Sequence, residues 1–475
     1  MTTATRDISM PAIIQGGMGV GVSNWKLANA VAMSGNLGVV SGTALDTVLV
    51  RRLQDGDPGG HMRRAIAHFP IAHVGDEVLG RYFLPDGRGK DQPYKMLPMY
   101  KQTVSVARQQ VTMLANFVEV YLAKEGHDGV VGVNLLTKVQ LPNLASLCGA
   151  MLAGVDYVLM GAGIPREIPG VLDAFSEHRA ASIRFDVDGL SATEAEYLTF
   201  DPALHGVEQT MSMKRPRFIA IIAATSLAMT LARKANGRVD GFVVEGPTAG
   251  GHNAPPRGEP HLNDRGEPIY GDRDVVDLAR IAELGLPFWI AGGAGAPEKF
   301  IEARALGAAG IQVGTLFAYC DESGIADDLK QEVLSHAARG EVDVVTDPRA
   351  SPTGYPFKVV RWKGDHANGP RRVRKCDLGY LRTAYRDPNG KIGYRCPAEP
   401  VDAYVKKGGS VAETEGRECL CNGLTANIAQ AQLRGNGVEE PPLLTSGDDL
   451  RGIQNFVGPR ASYSAADVVN YLLGR

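Results

Sequence analysis

Between residues 12 and 313 short β-branched runs alternate eight times with helical patterns, and no other feature of the 475-residue chain restricts its fold so strongly. The predicted strands are Ala12–Ile14, Leu37–Val40, Gly129–Asn134, Asp156–Met160, Phe218–Ala223, Asp240–Val244, Pro287–Ala291 and Ala309–Val313. The helices between them carry one apolar face each. Leu27, Ala28, Val31 and Ala32 share a stripe that Ser23 can cap and Gly35 stops; Leu144, Leu147, Cys148 and Met151 follow at i, i+3, i+4, i+7 before Gly154. Thr225 is placed to cap a helix burying Leu227, Ala228, Leu231 and Ala232. Val275, Leu278, Ala279 and Ala282 form another stripe, and a last helix runs from Pro297 to near Gly307. An open doubly wound sheet seldom has eight such units in a row, so the pattern predicts an α/β fold, a (β/α)8 barrel.

Two stretches interrupt the alternation, at about 43–128 and 180–215, and read as insertions. From about 330 the alternation stops and turn-rich clusters take over, such as Arg386-Asp387-Pro388-Asn389-Gly390. The expected organisation is a barrel over 1–330 and a C-terminal cap or small lobe over 331–475. Lys and Arg number 50 against 53 Asp and Glu, so a net charge of −3 offers no strong field for nucleic acid or an anionic membrane. No uncharged apolar run approaches the roughly 18 residues that span a bilayer. Arg6 and Asp7 stand where a signal peptide would be apolar, and the chain reads as cytoplasmic. A small-molecule substrate is the expected partner, and a homo-oligomer is compatible with the sequence.

In a barrel of this kind function collects where the strands end. After strand seven stands Gly292-Gly293-Ala294-Gly295, and after strand eight Gln312-Val313 runs into Gly314-Thr315. Glycine lets backbone N–H groups approach a phosphate, the Thr hydroxyl adds a donor, and these two loops form the usual barrel phosphate site. Gln15-Gly16-Gly17-Met18-Gly19 after strand one offers a floor poor in side chains on which a ring system can lie. Strand six ends in Glu245-Gly246-Pro247-Thr248-Ala249-Gly250-Gly251-His252. The Gly pair lets the backbone pass close to a ligand, and an imidazole there can take a proton from carbon or return one. The other nine histidines lack such a setting; His61, His68 and His73 are spaced too irregularly for a metal pair.

Pro11 to Gly19 with Ser23, Gly132-Val133-Asn134, Ala249-Gly250-Gly251-His252, Ile290-Ala291-Gly292-Gly293 and Gln312-Val313-Gly314-Thr315 resemble, in order and spacing, the nitronate monooxygenase family. The resemblance covers roughly residues 11–325. It implies a TIM barrel holding FMN in a family that includes flavin-dependent enoyl-acyl-carrier-protein reductases. It further implies that Asn134, Gly250, Gly293 and Gln312 to Thr315 contact FMN, with Gly17, Met18, Gly19, Glu245, Gly251 and Gly292 around them, and that His252 is the catalytic base. Typical members have Gln where this chain has Glu245, and Glu where it has Thr248; Glu245 looks more like the reductases. Gly17 stands where many members have Pro.

Four of the six cysteines, Cys376, Cys396, Cys419 and Cys421, fall in the tail at intervals of 19, 22 and 1 residues. Structural zinc usually shows two pairs with wider inner spacing, so reduced thiols are expected, with a zinc or iron-sulfur site as the alternative. Lys358, Arg361, Lys363, Arg371, Arg372, Arg374 and Lys375 make the same region basic, with Asp365 the one acid among them. Such a run is either a solvated face or a grip for a phosphorylated substrate, a carrier or NADPH. The leading expectation is an FMN oxidoreductase acting on alkyl nitronates or nitroalkanes with O2. Lys138 is a candidate to stabilise charge on the flavin. The alternative is an NAD(P)H-dependent reductase of activated double bonds, followed by a non-catalytic flavin or phosphate-binding barrel and a sugar-phosphate barrel.

Overall fold

The computed structural model describes residues 10–362, 372–435 and 437–475. Eight parallel strands lie in the order expected of consecutive βα units: β1 (Ile13–Gln15), β2 (Gly38–Ser41), β3 (Val131–Leu136), β4 (Tyr157–Gly161), β5 (Arg217–Ile222), β6 (Gly241–Glu245), β7 (Phe288–Ala291) and β8 (Gly310–Val313). Each pairs with its sequence neighbours and β8 pairs with β1. Between β1 and β2, Gln15 N donates to Leu37 O and Leu37 N to Ile13 O, both at 3.0 Å, so the sheet closes on itself. The fold is an α/β TIM barrel.

Period-two alternation explains how the barrel fills. Ile14, Val39, Leu159, Ile219, Val243 and Trp289 point inward and are fully buried together. Their neighbours Ile13, Val40, Val158, Phe218, Phe242 and Phe288 point outward under the helices. Trp289 closes the bottom, its indole N–H donating to Pro11 O at 2.8 Å.

Local sequence signals fail at three places. Ser23 does not cap the first helix, Trp25–Met33; Asn24 does, its side chain accepting from Leu27 N. Thr225 is the first residue of its helix and accepts instead from Asp277 N, and Ala232 on that helix is exposed. In the short helix Leu278–Ala282 the buried residue is Ile281, whereas Val275 is 73% exposed. The apolar stripe read across 275–282 therefore starts three residues before the helix, and Ala279 and Ala282 within it are exposed.

Within 43–128, the helix Val106–Lys124 packs between Trp25–Met33 and Gln140–Leu152, in the place of the barrel helix that follows β2. In 180–215, Ala181–Phe185 and Glu196–Phe200 form an antiparallel pair. The tail begins with helix Asp327–Ala338 and the hairpin β9 (Val342–Asp347) and β10 (Phe357–Trp362). A second hairpin, β11 (Thr383–Arg386) and β12 (Ile392–Arg395), is joined in parallel by Val187–Asp188. Helix Ala465–Leu472 buries Ala465, Val468, Val469 and Leu472 against the barrel's helices. Tail residues such as Val344, Val360, Leu444 and Leu450 share one apolar core with the barrel. Among the described residues no helix is long and apolar enough to cross a membrane.

Candidate active site

The ends of β1, β3, β6, β7 and β8 converge on one cavity of about 220 Å³. Its wall holds Gly17, Met18 and Gly19 from the first loop, Asn134 from β3 and Glu245 at the end of β6. Gly250, Gly251, His252, Gly292 and Gly293 follow, with Gln312, Val313, Gly314 and Thr315 completing it. Ser23, freed from capping, shapes the first loop: its hydroxyl donates to Gly16 O and accepts from Met18 N, both at 2.9 Å. Gly17 lies so close to Asn134 that a Cβ there would come within 2.3 Å of that residue's Cβ. At Gly292, φ is +87° and a Cβ would meet Gly246 O and the Thr248 hydroxyl at 3.0 Å, so this bend requires glycine. Gln312 Oε1 is buried without a hydrogen-bond partner among the described residues, a polar atom facing a site that offers it none.

The tail supplies the other side of the cavity, which sequence reasoning missed. Thr445-Ser446-Gly447 threads between loops six and eight, with the Thr445 hydroxyl accepting from Gly251 N at 2.9 Å. Gly447 N donates to the Thr315 hydroxyl at 3.1 Å. Asp449 accepts from Gly295 N at 3.2 Å, so that loop-seven donor is already taken; burial pushes the Asp449 carboxyl up, which weakens its repulsion of an anion. Phe357, Tyr380 and Cys421 line the cavity as well. A small-residue turn at Thr445–Gly447 is the one local signal that could have drawn attention to this segment.

His252 stands where this cavity meets a second one of about 240 Å³, and Glu245 also lines both. The second cavity has Ile221, Ile222 and Leu227 along its wall, with Arg257 and Tyr270 among its polar residues. The imidazole packs edge-on against Phe357, and its Nε2 lies 2.7 Å from the Ser351 hydroxyl. Ser351 is in turn 2.8 Å from the Thr353 hydroxyl, to which Lys138 Nζ donates at 3.4 Å. The Lys138 ammonium also lies 3.6 Å above the Tyr355 ring.

Enclosure dominates the electrostatics. Burial pushes Glu245 up to about 7 and brings Lys138 down to about 7. His252 is held well below its ordinary value, first by burial and then by the charge of Lys138. A neutral imidazole at neutral pH has a free lone pair, which is the form a base needs.

Cys376, Cys396, Cys419 and Cys421 surround one small void beside the main cavity. Among the described residues no group of three or more His, Cys, Asp or Glu is arranged to hold a metal ion. Cys376 is pulled below the usual thiol range chiefly by a hydrogen bond with Cys396, whose own thiol is pushed well up. Three described members of the basic run are tied into the protein, while Lys375 is exposed. Lys358 is buried, pairing with Asp448 at 2.8 Å and the Thr346 hydroxyl at 2.9 Å. Arg372 pairs with Glu440, and Arg374 donates to Pro397 O and Thr414 O. Lys363, Asp365 and Arg371 lie outside the described residues.

Residues 174–351, from the helix Ile168–Ser176 after β4 to the hydroxyl beside His252, match the family model for nitronate monooxygenase. That stretch, somewhat over a third of the chain, is similar to the nitronate monooxygenase family. A probable nitronate monooxygenase of Staphylococcus haemolyticus (strain JCSC1435) is 31% identical over 147 residues, covering 31% of this chain and 38% of that protein. The match thus spans well under two thirds of the curated relative. Similar solved structures include FabK from Thermotoga maritima, 15% identical with a TM-score of 0.49 over 100% of this chain and 96% of that one. Another is a nitroalkane oxidase from Streptomyces ansochromogenes, 16% identical with a TM-score of 0.45 over 99% and 97%.

Proposed function

We propose that this chain is a member of the nitronate monooxygenase family and an FMN-dependent oxidoreductase that oxidises alkyl nitronates or nitroalkanes with O2. The observation that carries the proposal is the position of His252, at the junction between a glycine-walled cavity and an apolar one. The first suits a flavin. Its walls at Gly17, Gly250 and Gly292 leave no room for a Cβ, its Thr315 and Ser446 side chains lie together on the wall with their hydroxyls 3.4 Å apart, and Gln312 awaits a polar partner. In this reading Gly292, Gly293, Gly314 and Thr315 hold the phosphate, Gly17 to Gly19 and Asn134 bear on the ring, and Glu245, Gly250, Gly251, Gln312 and Val313 complete the wall. FMN, when bound, supplies the two-electron redox chemistry that no side chain offers.

The chain's own part is to bind, orient and move a proton. The second cavity takes the substrate's alkyl group against Ile221, Ile222 and Leu227, which excludes water from the reacting carbon. His252, neutral and facing both cavities, removes the α-proton of a neutral nitroalkane or orients a nitronate already formed. Residues 1–330 are the FMN barrel, and 331–475 are a cap whose Ser351, Thr445 and Ser446 complete the site. Glu245 supports a second reading, an NAD(P)H-dependent reductase of activated double bonds. Raised to about 7, it is largely uncharged in weak acid and can donate a hydrogen bond to a carbonyl. Release of flavin from the purified protein on heating, identified as FMN by chromatography, tests the cofactor. Turnover of a nitronate under O2 without NAD(P)H tests the reaction. Absence of any flavin after reconstitution would overturn both readings.

A further inference from the structure

Lys138 and His252 come from different barrel loops and do not touch, yet two hydroxyls bridge them. His252 Nε2 to Ser351 Oγ is 2.7 Å, Ser351 Oγ to Thr353 Oγ1 is 2.8 Å, and Lys138 Nζ to Thr353 Oγ1 is 3.4 Å. Both hydroxyls belong to one tail segment, Ser351-Pro352-Thr353-Gly354-Tyr355, whose aromatic ring carries Lys138. That segment is held firmly. Arg417 donates to Ser351 O and to Arg349 O, Thr353 N donates back to Ser351 Oγ, and Asn253 N next to His252 donates to Pro356 O. A lysine in surface solvent needs no such support.

We infer that Lys138 is the proton store for His252, reached through the hydroxyls of Ser351 and Thr353. The inference rests on the proposed use of His252 as a base. Nε2 is committed to Ser351, so Nδ1 takes the α-proton. The Nε2 proton then passes to Ser351 Oγ, the Ser351 proton to Thr353 Oγ1, and the Thr353 proton to the neutral Nζ. Each oxygen gains one proton and gives one up. The net change is one proton from substrate carbon to Lys138, with the imidazole left neutral as its other tautomer and no electron moved. The charge ends on an ammonium above the Tyr355 ring, where a cation is favoured.

The sign of the pH dependence follows from Lys138 being brought down to about 7. Below that value Nζ is an ammonium with no lone pair, the chain has no acceptor, and its charge opposes protonation of His252. Above it the amine is neutral and the relay is open. The other titratable groups on these cavities are Glu245 on β6, Tyr355 under Lys138, Arg257, Tyr270 and Asp274 in the outer cavity, and Tyr380, Cys421 and Asp449 on the tail side. Among the described residues, Lys138 is the one whose charge bears on His252.

The test compares Lys138→Met, Thr353→Val and Thr353→Ser in the flavin-loaded enzyme, with nitroethane and with preformed ethylnitronate as substrates. With nitroethane, kcat of the unaltered enzyme should rise through about pH 7. Lys138→Met and Thr353→Val should lower it by about tenfold or more and flatten that limb, while Thr353→Ser restores it. With ethylnitronate the loss should stay under about twofold, because the α-proton is already gone. Independently of turnover, the His252 ring nitrogens followed by NMR should show an inflection near 7 that Lys138→Met abolishes. An unchanged His252 titration in Lys138→Met, or a wild-type nitroethane rate in Thr353→Val, would overturn the relay. If the unaltered enzyme turns over neither substrate, the nitronate reading fails, and the NMR titration still decides whether Lys138 and His252 are coupled.

Discussion

His252 Nε2 and the Ser351 hydroxyl lie 2.7 Å apart across 99 residues of sequence. The first is on the loop after β6 and the second on the connection between β9 and β10, so the barrel and its tail meet at the proposed base. The tail is thus part of the site, and its Ser351 hydroxyl fixes which imidazole nitrogen is left for substrate.

Replacing the base separates proton removal from the later chemistry. His252→Ala should keep its flavin and lose about 10²-fold or more in kcat/KM on neutral nitroalkanes, with a much smaller loss on preformed nitronates. Steady-state kinetics on both substrates check this; equal losses would assign His252 to binding instead.

The tail's contribution to the anion side is testable at Gly447. A Cβ there would come within 2.9 Å of the Thr315 hydroxyl and 3.0 Å of Thr248 O, so Gly447→Val must push loop eight and the tail segment apart. The expected outcome is a folded protein that releases flavin on gel filtration while the unaltered protein retains it. The ratio of flavin absorbance to protein absorbance reads the result.

Much of this was legible in the chain. The eight strands, the Gly292-Gly293 bend and Gly314-Thr315 follow from local periodicity and from glycines that backbone crowding demands, and each is a short-range signal. Ser351, Thr353 and Thr445 to Gly447 are ordinary polar residues in turns, and their meaning arises only when segments about a hundred or more residues apart are packed together. The basic run misled for the same reason. Lys358 reads as a surface cation, but Asp448 and Thr346, distant in sequence, take it inside.

A buried ion pair fastens the tail to the barrel. Arg108 donates to Asp46 at 2.7 Å, both side chains are buried, and the Tyr380 hydroxyl from the tail donates to the same carboxylate. Arg108→Met leaves Asp46 charged and uncompensated, which should cost about 3–5 kcal/mol in urea unfolding. Burial pulls the Asp46 carboxyl up, but Arg108 together with the hydrogen bonds from Tyr380 and Thr112 outweighs it, and the net shift is downward from 3.8. A depressed carboxyl stabilises the fold above 3.8 and loses that contribution as the pH falls further. Unfolding free energies of the variant and the unaltered protein should therefore differ most above pH 3.8 and draw together as the pH falls below it.

The cysteines should differ in reactivity. Cys376 is partly exposed and its thiol is lowered, whereas Cys148, Cys320 and Cys421 are pushed well up by burial. Brief treatment with iodoacetamide at neutral pH, followed by peptide mass mapping, should label Cys376 ahead of the other five. Slower labelling of Cys376 than of Cys421 would contradict the assigned hydrogen bond with Cys396.

The central claim is that the cavity closed by barrel and tail holds a flavin which takes electrons from a nitronate. The most direct measurement is the absorption spectrum of the purified protein, recorded anaerobically before and after adding ethylnitronate and, separately, NADPH. The account predicts an oxidised flavin spectrum that bleaches with ethylnitronate and regains its colour when O2 is admitted, with NADPH leaving it unchanged. Bleaching by NADPH with no response to ethylnitronate would contradict it in favour of the reductase reading, and a protein that stays colourless after FMN reconstitution would contradict the flavin itself.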